Sequence, residues 1–232
     1  MKIMSMKATV TGVDQISPTA REIHLSLPED IGFIPGSFIN VFADVEGKRV
    51  RRAYSISSSN RNQREVSLSV RIIPNGTISP LFVEKNILGR QFDIMGPLGI
   101  NTADKMSSKR IFLIGFGIGV SPIKSLAHFF SESTDVYELS ILTGSRSREE
   151  VLYDDLFEKL ATSKNGVYKA VISDEADTSW PLRGFIQNHI DDLDFNNCAV
   201  YVCGQGQACR AIESAILKMN PVNCKMLIED FH

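Results

Sequence analysis

The chain has 232 residues, 43% of them hydrophobic and 22% charged, which is the balance of a globular protein with room for one large domain or two of ordinary size. A net charge of −2 gives no electrostatic reason to expect nucleic acid or an anionic membrane as partner, and no apolar run reaches the ~20 residues that a spanning helix needs. The N-terminus, MKIMSMKATVTGV, has no apolar stretch followed by a small-residue cleavage site, so the expected location is the cytoplasm.

Residues 1–100 read as β. The runs MKATVTGVDQIS, AREIHLSLP, SFINVFADV, KRVRRAYSISS, EVSLSVRII and GRQFDIMGP are short and rich in β-branched and aromatic residues. Turn residues separate them, among them Pro35-Gly36, Gly47 and Pro74-Asn75-Gly76. Six such strands predict a small antiparallel β-barrel, which leaves no exposed sheet edge. One helical stretch, Ile78 to Lys85, is expected to interrupt them.

From residue 109 the pattern changes to alternation. KRIFLIGFG, YELSILTGS, YKAVIS, NCAVYVCG and KMLIEDF are strands. The helices SPIKSLAHFFSES, REEVLYDDLFEKLA, GFIQNHID and QACRAIESAILKM lie between them. Apolar strands alternating with amphipathic helices imply a Rossmann-like, five-stranded parallel sheet covered on both faces. The boundary is expected in the polar stretch Asn101 to Ser108, giving a β-barrel domain at 1–104 and an α/β domain at 105–232.

Gly115, Gly117 and Gly119 follow a buried strand, with Ile118 among them, and Ser121-Pro122 then opens a helix. Glycines permit a tight turn and close approach of a ligand, and a helix N-terminus suits a pyrophosphate. The full GxGxxG spacing is absent because residue 120 is Val, and a lone turn of this kind also reads as packing glycine. A second turn of the same type, Cys203-Gly204-Gln205-Gly206, lies on the same sheet edge. Two such turns provide a crevice for an extended dinucleotide at the carboxyl ends of the strands. Cys203 is expected to face that crevice, with a buried structural thiol as the alternative. The four cysteines, Cys198, Cys203, Cys209 and Cys224, match no zinc or iron–sulfur spacing, and no metal site is expected. The four histidines show no catalytic partner pattern.

Six motifs make the chain resemble the ferredoxin–NADP reductase superfamily along nearly its whole length. Phe33 to Phe38 is similar to its FxPGQF segment, with Ser37 in place of Gln. Arg52-Ala53-Tyr54-Ser55 matches the RxYS flavin motif, and Gly76-Thr77-Ile78-Ser79 matches its GxxS motif. Gly115 to Pro122 resembles the nicotinamide turn, departing from it at Phe116, Gly119 and Ser121. Val200 to Gly204 matches VYxCG, with Gln205 where Pro is usual. Gly96-Pro97-Leu98-Gly99 resembles the turn that closes the barrel, and also that of electron-transfer subunits of dihydroorotate dehydrogenase or sulfhydrogenase.

The resemblance implies a flavoprotein that takes hydride from a nicotinamide dinucleotide onto FAD, or less often FMN, and passes electrons to a separate protein acceptor. Arg52 would pair with flavin phosphate, Tyr54 would lie against the isoalloxazine and Ser55 would bond near its N5. Gly76, Thr77, Ile78 and Ser79 would hold the pyrophosphate. Gly117, Cys203 and Ser55 would line the junction where hydride passes, which makes Ser55 and Cys203 the catalytic candidates. Gly115, Ile118, Gly119, Ser145, Arg146, Asp174 and Gly204 would meet the dinucleotide. Phe231 would cover the flavin or simply cap the last strand. Asp174, where NADPH-specific relatives tend to carry Arg, favours NADH; Arg146, Arg148 and Arg183 favour a 2′-phosphate. The chain stops about where a relative of the phthalate dioxygenase reductase type would begin its iron–sulfur domain, so no cluster is expected unless this is a fragment. Two other readings remain: a subunit of a larger redox complex, and a regulatory module with the fold but no redox activity.

Overall fold

The computed structural model describes residues 1–174 and 176–231. Its first half holds six strands: β1 (Met4–Gln15), β2 (Ala20–Ser26), β3 (Phe38–Val45), β4 (Lys48–Ser55), β5 (Glu65–Arg71) and β6 (Gln91–Leu98). They pair antiparallel in the order β4-β3-β6-β1-β2-β5. An isolated bridge between Ile56 and Leu68 draws the end of the β4 segment against β5, so the sheet curls into a half-barrel. Alternation along the strands sends Ala8, Val10, Ile23, Leu25, Val66, Leu68 and Val70 into one apolar core. On β4 the residues Lys48, Arg49, Arg51 and Arg52 are exposed instead, which makes the outer strand basic.

The helical stretch expected from Ile78 to Lys85 is only a 3-10 turn, Ser79–Val83. Ile78 and Phe82 are fully buried in the barrel core, and that anchoring accounts for the apolar signal without a longer helix.

The second half holds β7 (Arg110–Phe116), β8 (Glu138–Ser145), β9 (Tyr168–Ile172), β10 (Cys198–Gln205) and β11 (Cys224–Phe231). They form a parallel sheet in the order β11-β10-β7-β8-β9. Helices α1 (Val120–Glu132), α2 (Asp154–Thr162) and α3 (Gly206–Lys218) cover it. On β7, Ile111 and Leu113 enter one core cluster while Phe112 and Ile114 enter another. The central strands are therefore buried on both faces, which is why they read as unbroken apolar runs.

Two helices are shorter than the sequence pattern implied. REEVLYDDLFEKLA splits into a 3-10 turn, Arg148–Glu150, and α2, because Tyr153 takes a left-handed conformation (φ 59) at the helix start. The Tyr153 hydroxyl lies 2.8 Å from Ser69 Oγ in the barrel, and its ring packs edge-on to Phe157 at 5.9 Å. That tether to the other half turns the backbone out of helical register. GFIQNHID contains only the 3-10 turn Ile186–Asn188. Ile186 and Ile190 are buried at helical spacing, but Lys169 Nζ donates to the His189 carbonyl at 2.8 Å, and the chain continues as an isolated turn in which the Leu193 N–H donates to the Ile190 carbonyl at 2.9 Å.

The two halves meet through α1. Ser121 Oγ donates to the Ser55 carbonyl at 2.9 Å and Ser125 Oγ donates to the Ser58 carbonyl at 2.7 Å. Between them Lys124 Nζ pairs with Glu22, both side chains being largely buried. The Asn101–Ser108 stretch carries a short 3-10 turn, Ala103–Lys105, and buries Ala103 and Met106 in the α/β core. No helix among the described residues is long and apolar enough to cross a membrane.

Candidate flavin and dinucleotide site

A cleft of about 820 Å³ opens between the barrel and the sheet. One wall is the end of β4, with Arg52, Ala53, Tyr54 and Ser55. The opposite wall is Ile118 and Ser121 from the β7–α1 turn, with Glu229, Asp230 and Phe231 from the last strand. Its volume lies in the range of roughly 300–1,000 Å³ typical of cofactor sites. Space beside the Tyr54 ring is therefore open to a flat aromatic ligand.

Tyr54 is braced edge-on by Phe82 at 5.9 Å, which fixes the ring at the cleft wall. Burial pushes its hydroxyl pKa up to about 12, against a smaller opposing effect of Arg52, so the phenol stays neutral through the physiological range. Ser55 is buried beneath it, its carbonyl held by Ser121. Arg52 is exposed, and the only hydrogen bond its side chain makes among the described residues runs to the Arg51 carbonyl at 2.8 Å. A guanidinium with five donors and no carboxylate partner, at the mouth of an apolar cleft, suits a phosphate.

Gly76, Thr77, Ile78 and Ser79 form a turn next to the cleft residue Ile73. The Gly76 N–H donates to the Ile73 carbonyl at 2.8 Å, and the Ile73 N–H donates to Ser79 Oγ at 3.1 Å. Thr77 Oγ1 is buried with no hydrogen-bond partner among the described residues. A buried hydroxyl left without a partner costs about 1–3 kcal/mol, so a polar ligand group at this turn would relieve it. The Ile78 side chain is in the barrel core, which leaves only its backbone for a ligand. Arg52, the cleft beside Tyr54 and the Thr77 turn together fit an extended anionic cofactor that carries an aromatic ring system.

The two glycine turns lie against each other. A Cβ on Gly119 would stand 2.4 Å from the Cys203 carbonyl oxygen, and one on Gly204 (φ 150) would stand 2.7 Å from Phe116 Cβ. Gly117 (φ 54) faces the Arg71 guanidinium at the cleft rim, 3.3 Å from where its Cβ would be. Gly115 is packed under α1, its Cβ position 2.9 Å from Ile123. Close backbone approach is thus a physical requirement at this junction. Ser145, Arg146 and Asp174 gather at the carboxyl ends of β8 and β9, on the same sheet edge. The Asp174 N–H donates to the Arg146 carbonyl at 2.9 Å, and Asp174 Oδ1 accepts from the Ala176 N–H at 3.1 Å. Ser145 Oγ donates to the Glu150 carbonyl at 3.1 Å, while the Arg146 side chain is exposed.

Cys203 departs from expectation. Its side chain is 0% exposed and belongs to the apolar cluster that also contacts Phe231, so the thiol does not line the cleft. β11 explains this, because its residue Glu229 pairs with Cys203 and Phe231 pairs with Gln205. Burial drives the thiol pKa well above its ordinary value. The group the sequence reading passed over is Glu229. It lines the cleft, accepts a hydrogen bond from the Tyr201 hydroxyl and has a carboxyl pKa raised chiefly by burial. Its only sequence signal was a pair of adjacent acids, Glu229 and Asp230, in an otherwise mostly apolar strand.

A family model for an oxidoreductase FAD-binding domain matches residues 7–102, and one for an oxidoreductase NAD-binding domain matches residues 113–213. The chain is 30% identical over 209 residues to the phenol hydroxylase P5 protein of Acinetobacter pittii, covering 87% of this chain and 58% of that protein. It is 31% identical over 189 residues to the electron transfer subunit of dihydroorotate dehydrogenase B (NAD(+)) from Fusobacterium nucleatum, covering 78% and 68%. The ferredoxin reductase in carbazole 1,9a-dioxygenase has the same fold, with a TM-score of 0.87 at 21% identity over 100% of this chain and 70% of that one. A half-barrel and a parallel sheet with a cleft between them, and family models for an FAD-binding and an NAD-binding domain in that order, converge on one assignment. The chain belongs to the ferredoxin reductase-like superfamily of flavin- and NAD(P)H-dependent reductases.

Proposed function

We propose that this protein is a flavin-dependent NAD(P)H reductase that feeds electrons to a separate protein acceptor. The observation that carries this reading is the open cleft between Tyr54 and Phe231, flanked by an acid-free Arg52 and by two glycine turns in backbone contact. When bound, a flavin supplies the conversion of a two-electron hydride donor into single-electron steps. The chain's own residues bind, orient and shield.

The Arg52 fork holds a flavin phosphate, and the Thr77 turn takes the pyrophosphate of FAD. Tyr54, fixed by Phe82, presents a neutral aromatic surface to the ring system. Ser55 offers a hydroxyl at the inner end of the cleft. On the other wall, Gly117 and Gly119 keep side chains away from the nicotinamide approach, and Gly204 does the same for the pyrophosphate. Phe231 lies where nicotinamide must enter, so it serves as a cover that moves aside. Asp174 accepts hydrogen bonds from an adenosine ribose and repels a 2′-phosphate, which favours NADH. Cys203 acts through packing beneath the junction and not as a surface thiol. The barrel at 1–104 takes the flavin and the sheet at 105–232 takes the dinucleotide.

The acceptor is an oxygenase component or another small redox protein. The relative named phenol hydroxylase P5 protein supports this choice. The alternative, a subunit within a larger complex, is favoured by the dihydroorotate dehydrogenase electron transfer subunit. Equilibrium dialysis against FAD, followed by assay of NADH-dependent ferricyanide reduction, tests the proposal. FAD-dependent turnover is expected, and turnover that ignores FAD, or no FAD retention, would overturn it.

A further inference from the structure

Cys198 and Cys224 stand opposite each other at the start of the parallel pair β10 and β11, with their sulfurs 3.7 Å apart. We propose that they form an oxidisable dithiol, closed to a disulfide by a hydroperoxide, which pins the strand that carries Glu229, Asp230 and Phe231 into the cleft.

The geometry permits the bond. Neighbouring strands lie about 4.8 Å apart, and disulfides span Cα separations of roughly 4.4–6.8 Å. The sulfurs must close to about 2.05 Å, a movement that side-chain rotation supplies without shifting the sheet. The pair also has a division of labour. Cys224 is half-buried at the sheet edge, its sulfur within reach of the Cys198 thiol. Cys198 is 2% exposed, and its thiol donates to the Phe195 carbonyl at 3.1 Å. Cys224 is therefore the group that a peroxide reaches first. Its thiolate attacks the peroxide oxygen, the O–O bond breaks, and a sulfenic acid and an alcohol or water result. The Cys198 thiol then attacks the Cys224 sulfur and expels the oxygen as water, so two thiols are oxidised by two electrons and one peroxide is reduced. Burial holds both thiols above their ordinary pKa, so the reaction is slow at neutral pH, as befits a response to sustained oxidant.

The consequence lies at the far end of β11. This strand is an edge strand whose one sheet neighbour among the described residues is β10, with a further bond from Asn101 Nδ2 to the Ile228 carbonyl at 2.9 Å, and most of its residues are only half-buried. Fixing its first residue to Cys198 limits fraying of a strand whose last residues border the cleft. The cross-link also closes the segment containing α3.

Purified flavin-loaded protein treated with hydrogen peroxide or diamide, then alkylated and measured by intact mass and peptide mapping, tests the proposal. The expected result is loss of two hydrogens, a peptide joining Cys198 to Cys224, reversal by dithiothreitol, and absence of both in Cys198→Ser and in Cys224→Ser. Melting temperature should rise by roughly 5–10 °C on closure. Amide exchange across β11 should slow severalfold. Four titratable thiols after oxidant, or a cross-link between Cys203 and Cys209, would overturn the site. A 198–224 cross-link without slower exchange in β11 would overturn the pinning.

Discussion

Gly119→Ala tests whether the two glycine turns must touch. The residue has ordinary right-handed geometry (φ −60), so conformation alone does not forbid Ala. Ala gains nothing over Gly at this position, which caps the N-terminus of α1. The added methyl would stand 2.4 Å from the Cys203 carbonyl oxygen and 2.7 Å from Gly204 Cα, all backbone atoms. Backbone cannot rotate away as a flexible side chain does, so the turns must separate. Overpacking of this kind costs about 1–3 kcal/mol, with no helix gain to offset it. That loss corresponds to roughly 2–12 °C in Tm for a chain of this size. Because the displaced atoms form the proposed dinucleotide crevice, KM for NADH should rise about tenfold, the equivalent of roughly 1.4 kcal/mol. Flavin retention should not change, since the barrel is not touched. Gly47→Ala is the control: its φ of 73 disfavours Ala by about 1 kcal/mol, but nothing lies within 4 Å of the new methyl. It should lower Tm slightly and leave KM alone. Thermal melts with steady-state kinetics decide the matter. A Gly119→Ala protein matching wild type in both Tm and KM would refute the reasoning.

Three further outcomes are expected. Arg52→Ala should purify largely colourless and bind FAD at least tenfold more weakly, while Arg49→Ala, whose partner is Asp93 at 2.8 Å, should retain it; equal retention would remove Arg52 from the phosphate site. Asp174→Arg should shift the NADPH-to-NADH ratio of kcat/KM toward NADPH by about tenfold or more, and an unchanged ratio would displace the ribose from that loop. Glu229 has its folded-state pKa raised by burial, so its ionised form is disfavoured in the fold. Its contribution is fully present below the unfolded carboxyl value and is lost as pH rises through the higher folded value. Glu229→Gln, which keeps an acceptor for the Tyr201 hydroxyl, should therefore gain stability relative to wild type at pH 7 and show no such gain at pH 4. Denaturant melts at both values check this.

Much of the fold was legible because its signals are local. Alternation on the barrel strands and unbroken apolar runs in the sheet follow from one-sided and two-sided burial, as on Ile23 and Leu25 against Ile111 to Ile114. The glycine turns were legible too, since little else permits Gly119 to lie against Cys203. What was missed depends on tertiary contacts. Tyr153 breaks a helix because its hydroxyl reaches Ser69 in the other half, and nothing near it in sequence announces that partner. Cys203 was expected in the crevice because a strand buried on both faces does not disclose which face a residue takes. Its neighbour β11 decides this from the far end of the chain. Glu229 escaped notice for the converse reason, since only the cleft beside Phe231 gives that carboxyl its significance.

An anaerobic titration of the flavin-loaded protein with NADH, followed by visible absorbance, bears most directly on the central claim. One equivalent of NADH should bleach the flavin band, and admission of an electron acceptor should restore it. A flavin that binds beside Tyr54 yet keeps its colour under excess NADH and NADPH would contradict the account.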